Sequence, residues 1–583
     1  MTAPAIKLTD NEYLGKVSAV DTNKVVIIVD DHDKMTKICV GNLVAIQGTL
    51  TSEYLIGIID RATRSTVEKM FMDDQDDNDS TFDISESQQD LIKVVLIGTY
   101  RTVDGERRNT FKRGADSFPQ IDKRCYQLTA NNLQNFMNIL SADVPEEERM
   151  TLGQYIADKK ATAIANGDKF FQRHAAILGS TGSGKSWTVT LILEKAANLI
   201  YSNMIVLDMH GEYSPLCDAK AGFAEQFKIA GPGDLNGDKE NTLFLPYWTL
   251  NREEMLAMIL DRSDSNAPNQ ASRFTEHVRQ LKGETLSVLG RNDVLETFTV
   301  DSPIFYDLHA LTERLKQDNI ERKLNEETKK MNNGEWNGKL TRFIARLESK
   351  IEDRRYGFLF QPPEETQSYE WLAKMIGSLF NTGKGKRGIK IIDFSEVPFD
   401  VLPIVVGVFA RIIYNIQFWM TNTERHPITF VCDEAHLYLP VKDDADASEK
   451  RALEAFERIA KEGRKYGVSL LVVSQRPSDV SRTILSQCNN FLVLRLTNDQ
   501  DQNVVKRLVP DSMVGLTDIL PLLDTGEALL FGDSILLPTR IKVDIPKLKP
   551  DSATRKFWTD WSRQEPIKDA VLKAIETMRK QTR

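Results

Sequence analysis

Apolar and polar positions alternate through the N-terminal stretch of the chain, from Tyr13 to about Tyr126. The alternation predicts strands over Lys16–Val20, Val25–Val29, Leu43–Gln47, Tyr54–Asp60 and Leu91–Tyr100, and short strands at this spacing suggest a small antiparallel barrel. From Thr129 to Asp168 the pattern reads as helical and polar, a connector. Short continuous apolar runs then follow at Ala175–Leu178, Met204–Leu207, Ile389–Asp393, Ile428–Cys432 and Val468–Val473, the signature of parallel strands buried on both faces. A long region from Arg252 to about Leu379 separates the second run from the third. There Phe343, Ile344, Leu347 and Ile351 recur at helical spacing, so packed amphipathic helices are expected, with charged outer faces around Glu321 to Lys330. Further strands are predicted at Phe491–Leu496, Glu527–Phe531 and Leu536–Val543, and a last helix carries Ile567, Val571, Ile575 and Met578 on one face. That face either braces a neighbouring subunit or packs on its own domain.

The strand at Ala175–Leu178 feeds a loop that satisfies G-x-x-x-x-G-K-[ST]: Gly179, Ser180, Thr181, Gly182, Ser183, Gly184, Lys185 and Ser186, followed by Trp187 at the start of a helix. Such glycine-rich loops let consecutive backbone N–H groups wrap a phosphate chain at a helix N-terminus. Lys185 is expected to meet the β and γ phosphates of ATP, and Ser186 to hold Mg²⁺. The run Ile428–Cys432 ends in Asp433 and Glu434, a Walker B pattern in which Asp433 reaches the Mg²⁺ shell and Glu434 polarises the attacking water. Gln475, at the tip of the next strand, is the candidate sensor of the γ-phosphate or the lytic water. Arg495 and Arg540 are lower-grade candidates for nucleotide or subunit contacts.

With 583 residues the chain is expected to form three or four folding units, and its net charge of −9 excludes coating of nucleic acid by the whole surface, so any DNA contact must be local. No apolar run approaches the ~20 residues of a bilayer span and the N-terminus has no apolar leader core, so a cytoplasmic protein without a membrane anchor is expected. Cys39, Cys125, Cys217, Cys432 and Cys488 are too scattered for a zinc site or a disulfide framework. The acidic run Asp73, Asp74, Asp76, Asp77 and Asp79 lacks EF-hand spacing and reads as a solvated loop. Arg342, Arg346, Arg354 and Arg355 read as a solvated face or ion-pair partners ahead of DNA contacts.

After the second buried run the chain reads DMHGEY, with Asp208, His210 and Glu212 at the carboxyl end of a strand, where ligands sit in open α/β sheets. Together with the Walker A segment this stretch resembles the HerA/FtsK branch of P-loop ATPases, specifically HerA-type DNA translocases, and EGRKYGVSLLVVSQRPSDV resembles the corresponding stretch later in that family. The resemblance implies an α/β fold with a RecA-like P-loop core, an N-terminal antiparallel β-barrel of HAS-like type and an inserted helical bundle. Its boundaries are 1–128 for the barrel, 129–250 for the connector and first part of the core, 251–380 for the insertion, 381–545 for the second part of the core and 546–583 for a helical tail. It further implies a homo-hexamer with DNA in its central channel, Asp208, His210 and Glu212 at the nucleotide, and Arg464 offered to the neighbouring subunit's ATP, against the alternative that Arg464 caps its own helix. Relatives work with a nuclease in DNA-end processing, or with Sir2-like or other effectors in antiphage defence. The competing expectation is an ATP-gated platform that organises an effector and moves little or no DNA.

Overall fold

The computed structural model of the chain describes residues 4–21, 24–36, 38–71, 83–105, 107–114, 117–142, 144–156, 159–235, 241–324, 330–380, 383, 385–443, 447–509, 511–552, 555–563 and 569–581. The acidic run Asp73 to Asp79 lies outside the described residues. Two compact units emerge, one made of Met1–Ile192, Gln475–Ser478 and Cys488–Ile545, the other of Leu193–Ser474, Asp479–Gln487 and Pro546–Arg583.

The predicted N-terminal alternation resolves into β1 (Tyr13–Asp21), β2 (Lys24–Val29), β3 (Leu43–Gln47), β4 (Glu53–Phe71), β5 (Asp83–Asp104), β6 (Arg107–Arg113) and β7 (Arg124–Gln127). Their order is β2-β1-β7-β3-β4-β5-β6, and a further β2–β5 pairing closes six of them into an antiparallel barrel with β6 on the outside. Closure follows from the period of two: Val25, Ile27, Val44, Ile46, Leu55, Ile59, Ile92 and Val94 all point inward and are buried. In chain order the remaining strands are β8 (Arg149–Tyr155), β9 (Thr162–Asn166), β10 (Ala175–Leu178), β11 (Met204–Asp208), β12 (Ala224–Ile229), β13 (Thr242–Leu243), β14 (Arg322–Leu324), β15 (Met331–Asn333), β16 (Ile389–Asp393), β17 (Ile428–Cys432), β18 (Val468–Ser474), β19 (Asn490–Val493), β20 (Glu527–Gly532) and β21 (Thr539–Val543).

In the first unit these strands lie in the order β10-β19-β20-β21-β8-β9, parallel at β10–β19 and antiparallel beyond it. The expected helical connector is therefore only half right. Helix Ala130–Ala142 forms, but β8 and β9 replace the rest, because Leu152 and Ala163 bury alternately along a hairpin that finds its partner in the distant β21. The barrel is tied to this unit by Arg113 of β6, which donates to the Gly532 carbonyl at 3.3 Å and lies 4.0 Å from Asp533; Arg173 also pairs with Asp533. Asn490, fully buried on β19, donates to the carbonyls of Lys169, Phe170 and His174 and accepts from the Ser534 amide, so one side chain fixes the entry into β10.

The second unit holds the all-parallel order β13-β12-β16-β11-β17-β18. Helix Leu402–Trp419 is long and apolar enough to cross a bilayer, yet 72% of it is buried inside the protein. It packs on helix Ala447–Tyr466 so closely that a Cβ at Gly407 would lie 2.7 Å from Ala452 Cα. The expected helical insertion contains helices Arg252–Ile259, Ala267–Val288, Leu308–Ile320, Thr341–Glu352 and Trp371–Leu379, plus the exposed β14–β15 hairpin that helical periodicity did not predict. Phe343 stacks edge-on against Phe274 at 6.0 Å. Arg346 pairs with Asp261 at 2.7 Å, Arg355 with Asp353 at 2.6 Å, and Arg354 donates to the Pro232 carbonyl, so three of the four basic residues serve this fold. On the C-terminal helix Ala570–Lys580, Val571, Leu572 and Met578 are exposed.

Within the insertion Lys282 is buried and donates to the carbonyls of Val300 and Ser302 at 2.7 and 2.6 Å; burial pushes its pKa down to about 7. Unfolded lysine holds its proton to about 10.5, so between these values the unfolded state binds more protons and stability rises with pH. Hydrogen exchange across residues 300–306, corrected for intrinsic rates, is expected to show protection increasing from pH 7 to pH 9, and a Lys282→Met protein is expected to lose that dependence.

Candidate nucleotide site

The first unit supplies the phosphate loop. β10 ends at Leu178, and helix Lys185–Ala197 begins after six intervening residues. The turn between them requires φ of +73° at Gly182 and +107° at Gly184, where a side chain would be strained. Neighbours hold the loop in shape: the Ser180 amide donates to the Arg495 carbonyl at 2.8 Å, the Thr497 amide to Ser180 Oγ at 3.3 Å, and the Gly526 amide to the Ser183 carbonyl at 2.9 Å. The amides of Thr181, Gly182 and Gly184 make no hydrogen bond among the described residues. Lys185 is buried, with Ser186 and Trp187 half-buried behind it. Unpaired amides around a lysine at a helix start are what a polyphosphate needs. Gln475 belongs to the same unit, and the Thr181 hydroxyl donates to its Oε1 at 2.7 Å, so sensor candidate and phosphate loop already touch.

The second unit supplies the carboxylates. Asp433 follows β17 and is 4% exposed. Burial, then the charges of Glu434, Asp208 and Glu212, push its carboxyl well above the usual range. Glu434 sits in a left-handed backbone conformation, φ 44°, and its Oε2 is buried without a hydrogen bond. Tyr213 is fully buried beside these acids, its hydroxyl unpartnered and its pKa driven up by burial and by Asp433, Asp208, Glu212 and Glu434. A concentration of negative charge at a buried carboxyl fits a divalent cation. Among the described residues no group of three or more His, Cys, Asp or Glu is arranged to hold one alone.

The DMHGEY turn has a different internal logic from the one its composition suggests. Asp208 Oδ1 accepts the amides of His210, Gly211 and Glu212 at 3.3, 2.8 and 3.1 Å, and Oδ2 accepts that of Tyr213 at 3.0 Å. Its oxygens are thus committed to shaping the loop, while burial pushes its pKa up to about 6 against the pull of those amides. His210 is exposed at the tip and Glu212 half-buried. An Asp208→Asn protein, which keeps one acceptor oxygen and turns the other into a donor facing an amide, is expected to lose order over residues 209–213, measured as faster amide exchange there.

Arg464 lies in the last turn of helix Ala447–Tyr466, exposed and without a hydrogen bond or ion pair among the described residues. Its helix neighbours are engaged: Arg458 pairs with Glu462 and stacks on Tyr414, and Arg451 pairs with Glu253. Arg540 is held by Glu527 at 2.5 Å, and Arg495 contributes its carbonyl to the phosphate loop. Sequence reading named Tyr213 within DMHGEY without giving it a role, and it missed Gly526 and His436, of which His436, three residues after Asp433, stood near enough to a motif to have been found from spacing.

Residues 150–413 match the family model described as the central domain of helicase HerA. The match takes in Gly179–Ser186 and the DMHGEY turn and stops short of Asp433. The DNA double-strand break repair helicase HerA of Sulfolobus acidocaldarius is 29% identical over 397 residues, which is 67% of this chain and 68% of that protein. Its counterpart in Pyrococcus furiosus is 26% identical over 426 residues, 67% of this chain and 68% of that one. Among solved structures, VirB4 of Thermoanaerobacter pseudethanolicus aligns with 69% of this chain and 97% of its own at a TM-score of 0.45 and 17% identity. With a phosphate loop in one unit and a Walker B pair in the other, the chain is a P-loop ATPase whose residues 150–413, loop and DMHGEY turn included, are similar to the HerA helicase central domain.

Proposed function

We propose that this protein is an ATP-driven DNA translocase in which several copies assemble in a ring, a homo-hexamer by family resemblance, with ATP between adjacent copies and DNA in the channel. One observation carries the reading. Val468 of β18 pairs with Ile428 at the amino end of β17, so Arg464, just before β18, lies at the opposite edge of the sheet from Glu434, which follows β17. Five strand residues separate the two edges by about 16 Å. An unpaired guanidinium there is out of reach of its own copy's glutamate, and stabilising charge on a transferring phosphoryl group requires contact, which supports the reading that Arg464 serves the nucleotide of a neighbour.

Within each copy the amides of Thr181, Gly182 and Gly184 and the ammonium of Lys185 bind the phosphates. Ser186 and Asp433 would hold Mg²⁺, which would screen the phosphate charge. Glu434 takes a proton from the attacking water, and Gln475, already on Thr181, orients that water or the γ-phosphate. Asp208 acts by holding its loop, with His210 and Glu212 presented by it.

The partner is a nuclease or another effector, in DNA-end processing or antiphage defence, docked on the N-terminal barrel. Because Arg113 joins that barrel to the strands beside the phosphate loop, removing Met1 to Tyr126 would disturb both functions; charge-reversing substitutions at the exposed Arg108 and Lys112 of β6 are the cleaner probe. They are expected to abolish co-purification with the partner and leave nucleotide binding intact. Retained partner binding would move the docking surface to the helical insertion or the tail.

The net charge of −9 favours a second reading, an ATP-gated platform that activates an effector without moving DNA. Phosphate release measured with DNA, with partner and with neither separates the two. Turnover that rises with duplex DNA and falls back with added salt supports translocation. Turnover that responds to the partner and ignores DNA supports the platform.

A further inference from the structure

The Walker B glutamate is not at rest in an ordinary pose. Its backbone occupies the left-handed region at φ 44°, which a residue with a Cβ adopts only when its surroundings impose it, and its Oε2 is buried without a hydrogen bond. His436 Nδ1 stands 3.3 Å from that oxygen. The same nitrogen is 3.4 Å from Ser474 Oγ. Ser474 is fully buried and is the last residue of β18, and the next residue along the chain is the sensor candidate Gln475.

One ring nitrogen carries either a proton or a lone pair. With its proton, Nδ1 donates towards the Glu434 carboxylate and retains it. With its lone pair, Nδ1 accepts the Ser474 hydroxyl, offers nothing to an anionic oxygen, and leaves Glu434 without the contact that fixes where it points. We propose that His436 is the positioning residue for Glu434 in ATP hydrolysis, its protonated Nδ1 holding the carboxylate in place, and that Ser474, on the strand that leads to Gln475, competes for the same nitrogen. The inference rests on the assignment of Glu434 made above. His436 itself touches neither nucleotide nor water in this scheme, and its effect is confined to where Glu434 points.

Steady-state hydrolysis and nucleotide affinity of five full-length variants test it: His436→Ala, His436→Asn, His436→Gln, Ser474→Ala and Glu434→Gln. The amide nitrogen of asparagine falls where Nδ1 lies and that of glutamine where Nε2 lies, so only the first can keep the contact. His436→Ala is expected to lower kcat by roughly 10- to 100-fold, the range for a misplaced catalytic group, with KM for ATP unchanged. His436→Asn is expected to recover a substantial part of that loss and His436→Gln none, a contrast that mere filling of space does not produce. Ser474→Ala is expected to raise kcat, because the ring then stays on Glu434. Wild-type kcat in His436→Ala alongside an inactive Glu434→Gln overturns the inference and leaves the glutamate assignment standing, as does equal rescue by asparagine and glutamine. Wild-type turnover by Glu434→Gln overturns the assignment itself. Should His436→Ala not fold, the asparagine–glutamine contrast carries the test alone.

Discussion

A Lys185→Ala protein is expected to turn over no measurable ATP and to bind it weakly, whereas Glu434→Gln binds ATP as the wild type does and hydrolyses it at least about 100-fold more slowly. The difference follows from what each side chain faces. Lys185 is buried at the start of its helix beside amides with no other partner among the described residues, so removing its charge takes away the one side-chain cation that the phosphate loop itself offers the phosphates. Glu434 stands with the other carboxylates of the second unit, and its neutral amide isostere removes the proton acceptor while relieving charge on Asp433, which favours retention of bound nucleotide. Equilibrium binding of a fluorescent ATP analogue, paired with single-turnover phosphate release, reads both quantities. Equal binding by the two variants, or hydrolysis by Glu434→Gln at the wild-type rate, refutes the division of labour.

Arg464→Ala is expected to lower kcat by about 1000-fold or more, in the range of arginine fingers, without loss of ATP affinity. Its exposure and its position at the amino edge of the sheet make the loss one that a second chain can repair. Mixing Arg464→Ala with Glu434→Gln under conditions of subunit exchange creates some contacts in which an intact Glu434 faces an intact Arg464, and turnover is expected to return there. Mixed assemblies verified by two affinity tags that show no recovery count against action in trans.

Much of this was readable from local pattern because local chemistry demanded it. The phosphate loop needs glycines at fixed offsets, and the strands β10, β11, β17 and β18 need mostly apolar runs since both faces are covered. The barrel strands showed through their alternation. β8 and β9 did not, since the segment follows a genuine helix and its strand partner β21 lies nearly 400 residues on, where no window can see it. β12 was invisible for another reason: AEQFKI is half-exposed, and its pairing with β16 rather than its composition makes it a strand. At the site, residue types were legible and their commitments were not. Asp208 reads as a ligand until four amides are found on its two oxygens, and His436 reads as an incidental neighbour of Walker B until its distances to Glu434 and Ser474 are known.

β20 is six residues long, roughly 20 Å of strand. Just before its first residue the Gly526 amide holds the Ser183 carbonyl of the phosphate loop; at its last, the Gly532 carbonyl takes Arg113 from the barrel, with Asp533 beside it. Handle and grip are therefore mounted in series on one stiff rod. A tug on the barrel arrives at the phosphates as mechanical load, with no need for whatever grasps the barrel to come near the nucleotide, and the expected readout is an ADP release rate that changes with tension applied through a tether on β6.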